Sequence, residues 1–132
     1  MPSEPQEIIS HIDHLVLTVR NIETTCNFYA KALGMKIIES GGGRKALAFG
    51  NQKINLHELG KEFEPKASAP TPGSSDVCLI TQIPIHKLVD HLDEMGVNIV
   101  EGPVKRTGAI GVITSIYFHD IDGNLVEISN YA

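Results

Sequence analysis

Gly34-Met35-Lys36-Ile37-Ile38 has a counterpart in Gly96-Val97-Asn98-Ile99-Val100, an offset of 62 residues counted from Gly34 to Gly96. Each stretch is a glycine followed by an apolar, β-branched run, the pattern of a helix stop leading into a strand. The same offset lays Leu15-Val16-Leu17-Thr18 over Val77-Cys78-Leu79-Ile80, so the strands that precede the two helices coincide as well. The chain therefore reads as two copies of one supersecondary unit. Two copies are too few for a stacked array and each is small for an independent core, so the halves must bury each other.

Working outward, Ile12 to Val19 reads as a strand, rich in leucine and β-branched residues and followed at once by Arg20-Asn21. Asn21 is the predicted N-cap of a helix over about Ile22 to Leu33, with Glu23 in its first turn and Gly34 as its stop. Ile22, Phe28, Tyr29, Ala32 and Leu33 fall near helical spacing. Strands are predicted at Met35 to Glu39, at Lys45 to Phe49 after Gly41-Gly42-Gly43, and at Lys53 to Leu59 after the turn Gly50-Asn51. The stretch Lys61 to Ser75 holds Pro65, Pro70, Pro72 and Gly73 and reads as a surface linker. The order then recurs: strand Val77 to Gln82, helix about Pro84 to Met95, strand Val97 to Glu101, a long loop, strand Val112 to His119 and strand Asn124 to Asn130. The expectation is one α+β domain over residues 1–132, with a βαβββ module at about 11–60, the linker at about 61–75 and a second module at about 76–131.

Composition sets the partners. A chain of 132 residues with 42% hydrophobic content suits one compact domain, which at that size buries roughly two-thirds of its unfolded surface. Sixteen acidic residues against eleven basic give a net charge of −5 with no long run of either sign, which argues against nucleic acid or an anionic membrane as partner. No apolar run approaches the roughly 20 residues that span a bilayer. The polar, acidic opening Met1 to Glu7 is not expected to be a signal or transit peptide, and the expected location is cytoplasmic. Cys26 and Cys78 each sit in an apolar pattern and are expected to be buried free thiols in a reducing compartment.

The most informative polar residue is His14. Strand alternation puts His14, Val16 and Thr18 on one face and Leu15, Leu17 and Val19 on the other. The leucine face wants a helix, so His14 points to the opposite face, where an imidazole can hydrogen-bond or bind a metal. Glu127, between Val126 and Ile128, likewise turns inward with Ser129. A carboxylate on an apolar strand is expensive to bury without a cation or several donors, so it is either paired or metal-bound, or reaches solvent from an edge strand. The 62-residue offset places Asp76 at the position equivalent to His14. Matching Ile54-Asn55-Leu56 to Val126-Glu127-Ile128 places Asn55 opposite Glu127, with His57 further along the same inward face. His14, His57, Asp76 and Glu127 are thus expected to converge between the halves, a nitrogen and oxygen set suited to Zn, Ni, Co, Mn or Fe as the divalent ion. His86 and His91 are assigned to the surface of the second helix. His119 is assigned to turn chemistry, and His11 to the face opposite His14 if the strand extends that far.

These residues resemble the vicinal oxygen chelate superfamily, which includes glyoxalases, bleomycin resistance proteins and extradiol dioxygenases, and within it the glyoxalase domain-containing protein 5 type. The resemblance spans Ile12 to Tyr131. It is carried by Ile12-Asp13-His14-Leu15-Val16-Leu17-Thr18-Val19, by Phe28-Tyr29 and Leu33-Gly34-Met35, by Phe49 to Glu58, and by Asp122-Gly123-Asn124-Leu125-Val126-Glu127. It implies paired βαβββ modules forming a half-open, U-shaped mixed sheet with helices on the outside around a metal. His14 and Glu127 match the superfamily's ligand positions directly. Asp76 stands where many members have histidine, and Asn55 where glyoxalase I has glutamate. The implied function is Lewis-acid catalysis by a metal-dependent lyase, isomerase or transferase acting on a small oxygen-chelating substrate. Asp76 or His57 is then the general base, and Asn55, Tyr117, Lys105 and Arg106 are the substrate contacts. The loop Lys105 to Gly111 either closes over an anionic substrate or is a solvated hairpin loop. The alternatives are a metal-free small-molecule binding protein and an Fe(II) extradiol-type dioxygenase using His14, His57 and Glu127. A homodimer fits either assembly, with modules pairing within one chain or between chains.

Overall fold

The computed structural model describes residues 6–131. Its ten elements keep the predicted order: β1 His14–Val19, α1 Ile22–Leu33, β2 Lys36–Ser40, β3 Arg44–Phe49, β4 Gln52–Glu58, β5 Asp76–Ile80, α2 Ile85–Glu94, β6 Ile99–Thr107, β7 Val112–His119 and β8 Leu125–Tyr131. The start of α1 follows from its cap, since Asn21 Oδ1 accepts the Thr24 amide at 2.9 Å. Its end follows from Gly34, which takes the left-handed conformation at φ 67° and donates its amide to Ala30 O. Pro84 gives α2 no side-chain cap. Asn130 of β8 supplies one instead, accepting the Ile85 amide at 2.9 Å.

The strands form two four-stranded sheets, β1-β4-β3-β2 and β5-β8-β7-β6. The first strand of each half lies parallel to its last, as a helical crossover requires, and the remaining pairs are antiparallel hairpins. Most predicted boundaries move by a residue or two, and two of the shifts bear on the site. β1 begins at His14 rather than Ile12, leaving His11 outside the strand. β6 runs on to Thr107, so the long loop expected after Glu101 shrinks to the turn around Gly108–Gly111. Pro103 suggested a break, but the ladder to β7 absorbs Gly102-Pro103 as an irregularity and resumes at Val104 opposite Ser115.

The halves do bury each other. Leu17, Val19, Ile54 and Leu56 of the first sheet share one cluster with Ile116, Phe118, Val126 and Ile128 of the second, filled from above by side chains of both helices. Specific contacts also tie the halves together, among them the Arg20–Asp122 ion pair at 3.0 Å. Phe28 packs on Phe118 with ring centroids 6.2 Å apart. Tyr29 donates its hydroxyl to Asp120, and the side chain of His91 meets Ala32 O at 2.9 Å. His91 is therefore a partly buried bridge between the helices rather than a surface residue, whereas His86 is exposed as expected.

Because both sheets turn their helix-bearing faces into this shared core, their other faces remain open, and no ladder joins β1 to β5 among the described residues. Both cysteines are free, but Cys78 is exposed rather than buried. Val77 and Leu79 take the core side of β5, and alternation sends Cys78 to the open side. No helix among the described residues is long and apolar enough to cross a membrane.

Candidate functional site

The open faces carry the polar residues singled out above, and the strand registers decide which of them are neighbours. On the first sheet His14 lies beside Lys53, Val16 beside Asn55 and Thr18 beside His57. Asn55 is thus the diagonal neighbour of His14, roughly 7–8 Å away between Cα atoms. His57 lies four residues further along, roughly 13 Å from the level of His14. The two histidines therefore do not face one ion, which removes the His14, His57 and Glu127 set needed for an extradiol-type centre. On the second sheet Asp76 lies beside Leu125, Cys78 beside Glu127 and Ile80 beside Ser129. Asp76 is diagonal to Glu127 as His14 is to Asn55, so the repeat survives in three dimensions.

The four expected ligands do not converge within the chain. Among the described residues no group of three or more His, Cys, Asp or Glu side chains gathers to hold a metal ion. The reason lies in the core. Two sheets that share one buried cluster through their helix-side faces present their open faces in different directions, His14 on one and Asp76 with Glu127 on the other.

Each face is nonetheless organised. His14 Nδ1 lies 2.8 Å from Asp13 Oδ2, with the imidazole 43% exposed. With its hydrogen on Nδ1, the ring donates to Asp13 and leaves the Nε2 lone pair free. The same hydrogen bond is the main cause holding the Asp13 carboxyl below the usual carboxylate range. Glu127 Oε2 accepts the Ser115 hydroxyl at 2.6 Å. Tyr117 stands beside Glu127 in register, and its phenol is pushed up by burial, by its hydrogen bond to Glu127 and by the Glu127 charge, against the pull of its hydrogen bond to Arg106. Arg106 is held on β6 by the Tyr117 hydroxyl, by Glu101 and by Lys105 O, each at 3.1 Å. It is a strand residue beside the site, not part of a closing loop. Lys105, paired with Thr114, alternates to the opposite face.

Two cavities adjoin these residues. One of about 370 Å³ lies over Glu127, bounded by Cys78, Arg106, Tyr117 and Tyr131. The other, about 430 Å³, runs along the outer side of β1 between it and the linker, with His57 and Lys66 in its wall. Beside it His57 packs edge-on against Phe63 at 5.5 Å, and Arg44 lies over the other ring at 4.1 Å from its centroid.

Residues 11–128 match the family model described as the Glyoxalase/Bleomycin resistance protein/Dioxygenase superfamily. The chain belongs to that superfamily. It is similar to the virulence protein STM3117 of Salmonella typhimurium, with 59% identity over 126 residues covering 96% of this chain and 88% of that protein. It is also 54% identical to the glyoxalase domain-containing protein RDO1 of Mycosarcoma maydis, over 93% of this chain and 69% of that protein. The crystal structure of STM3117 superposes with a TM-score of 0.93 at 58% identity, covering 96% of this chain and 100% of that one. The superfamily fold accounts for the paired modules. Asp13 was adjacent in sequence and overlooked. Ser115 could be placed under Glu127 only once the β7–β8 register was known, because nothing local links positions twelve residues apart.

Proposed function

We propose that this protein is a glyoxalase-like, metal-dependent lyase or isomerase, or a transferase of related chemistry, acting on a small oxygen-chelating substrate at a site completed between two copies of the chain. One observation carries the reading. His14 and Glu127 stand on separate open sheet faces, each with one atom already held by a neighbour, while the shared core keeps them from meeting in one chain. The assembly is supported by the place of β1 and β5 at the ends of their sheets, with Val16 and Ile80 on them 46% and 48% exposed. Setting the first-module face of one copy against the second-module face of its partner pairs His14 and Asn55 with Asp76 and Glu127. The likeness to the glyoxalase domain-containing protein 5 type and a cytoplasmic setting, which two free thiols suit, belong to the same reading.

In such a pair His14, Asp76 and Glu127 are the residues that would hold a divalent ion, whose contribution is to polarise adjacent substrate oxygens. Asp13 orients the imidazole and Ser115 the carboxylate. Asp76, exposed on its face, is the proton acceptor in this reading. Asn55, Arg106 and Tyr117 contact the substrate, and His57 lies further out, on the β1 side.

The test is subunit complementation. His14→Ala and Glu127→Ala should each remain dimeric and lose metal. When the two are mixed and reassembled, each mixed dimer holds one site with both residues intact, so about a quarter of the wild-type metal content should return. No recovery from variants that exchange subunits would sink the shared site. A metal-free binding protein is the second reading, favoured by the absence of a ligand group within the chain among the described residues. It takes over if the wild-type dimer binds small molecules but no divalent ion.

A further inference from the structure

Beneath Glu127 lies a set of hydroxyls whose hydrogens can run in one direction only. Ser115 and Ser129 are both 0% exposed, in a sheet otherwise filled by Ile113, Ile116, Phe118, Val126 and Ile128. Ser115 Oγ lies 2.6 Å from Glu127 Oε2 and 2.6 Å from Ser129 Oγ. Ser129 Oγ is 3.3 Å from Cys78 Sγ and a distant 3.5 Å from the same carboxylate oxygen. An ionised carboxylate can only accept, and the short charge-assisted contact claims the single hydrogen of Ser115. The Ser115 oxygen must then accept from Ser129, and the Ser129 oxygen from the thiol of Cys78. A thiol of ordinary pKa, about 8.5, carries that hydrogen at neutral pH.

We propose that Ser115, Ser129 and Cys78 are positioning residues for Glu127, a one-way donor chain from S–H through two O–H groups that binds Oε2 from below. Buried hydroxyls are costly unless bonded, and these two find their side-chain partners in each other, Cys78 and Glu127. The donor chain stands on the geometry of one subunit. Only the role of Glu127 as a metal ligand rests on the function proposed above.

Two readouts separate those claims. In the metal-free protein the infrared S–H stretch of Cys78, assigned by its loss in Cys78→Ala, should move towards the unbonded thiol position in Ser129→Ala. A band that Ser129→Ala leaves in place overturns the donor chain. Calorimetric titration of the wild-type protein with Mn²⁺ or Zn²⁺ gives the second. Ser115→Ala should weaken binding by about ten- to a hundredfold, the usual effect of losing a residue that orients a ligand. Wild-type binding matched by Ser115→Ala overturns the positioning role. If the wild-type protein binds neither ion, the metal reading of Glu127 fails, and the infrared arm still decides the donor chain.

Discussion

Tyr29 reaches from α1 into the turn between β7 and β8 and is 1% exposed. Its acceptor Asp120 also takes the Asn124 side-chain amide at 2.8 Å and the backbone amides of Asp122 and Asn124 at 2.9 Å, so one carboxylate holds the turn and the helix together. Burial, and then the Asp120 charge, push the Tyr29 phenol well above its ordinary value of 10.0. The folded protein keeps this proton while the unfolded chain releases it above about pH 10. The contribution is therefore fully present below pH 10 and is lost as pH rises beyond it, at about 1.4 kcal/mol per pH unit. Urea unfolding at pH 9, 10 and 11 should show that slope. Tyr29→Phe should cost about 1–3 kcal/mol at neutral pH by removing a buried hydrogen bond to a carboxylate and flatten the alkaline fall. An unchanged slope would mean that another group titrates. Tyr29 was legible in the sequence as a core residue of a helix, but its link to Asp120 was not, because the two are 91 positions apart.

At the scale of elements, β6 is where sequence reasoning stopped short. Gly102 and Pro103 look like a loop because neither favours a regular strand. The structure uses them as a bulge in which Gly102 takes φ 105° and passes so close to β7 that a Cβ would run into Ser115 O and Ile116 Cα. Gly102→Ala should cost on the order of 2–4 kcal/mol, since both contacts are backbone and cannot step aside. Gly41→Ala, whose Cβ meets nothing within 4 Å, should stay within about 0.5 kcal/mol. Equal losses of thermal stability in the two would refute the crowding argument. Asn130 makes a similar point from the other direction. It caps α2 and also donates to Thr81 O and Ile83 O, and Asn130→Ala should lower stability by about 1–2 kcal/mol in chemical denaturation. The helix itself was predicted from its own residues, while its cap came from a strand 45 positions away.

At the scale of the whole molecule, the end strands β1 and β5 carry the proposed assembly. A lysine on an edge strand discourages pairing without disturbing the core behind it. Val16→Lys and Ile80→Lys should each shift the protein from dimer to monomer in sedimentation, keep its far-ultraviolet circular dichroism and abolish metal binding. A dimer that survives both changes would place the interface elsewhere. The sequence by itself determined the two βαβββ modules, the cap and stop of the first helix, the linker between the modules and the faces on which His14, Asn55, Asp76 and Glu127 lie. All of these follow from short-range periodicity and from an internal offset that can be counted along the chain. Only the tertiary structure decided that His57 stands too far along β4 to join His14, that Ser115 and Ser129 lie under Glu127, and that the two open faces bring no metal-ligand cluster together among the described residues. Strand register and the packing of one module on the other are set by contacts between residues far apart in the chain, and local pattern carries no record of them.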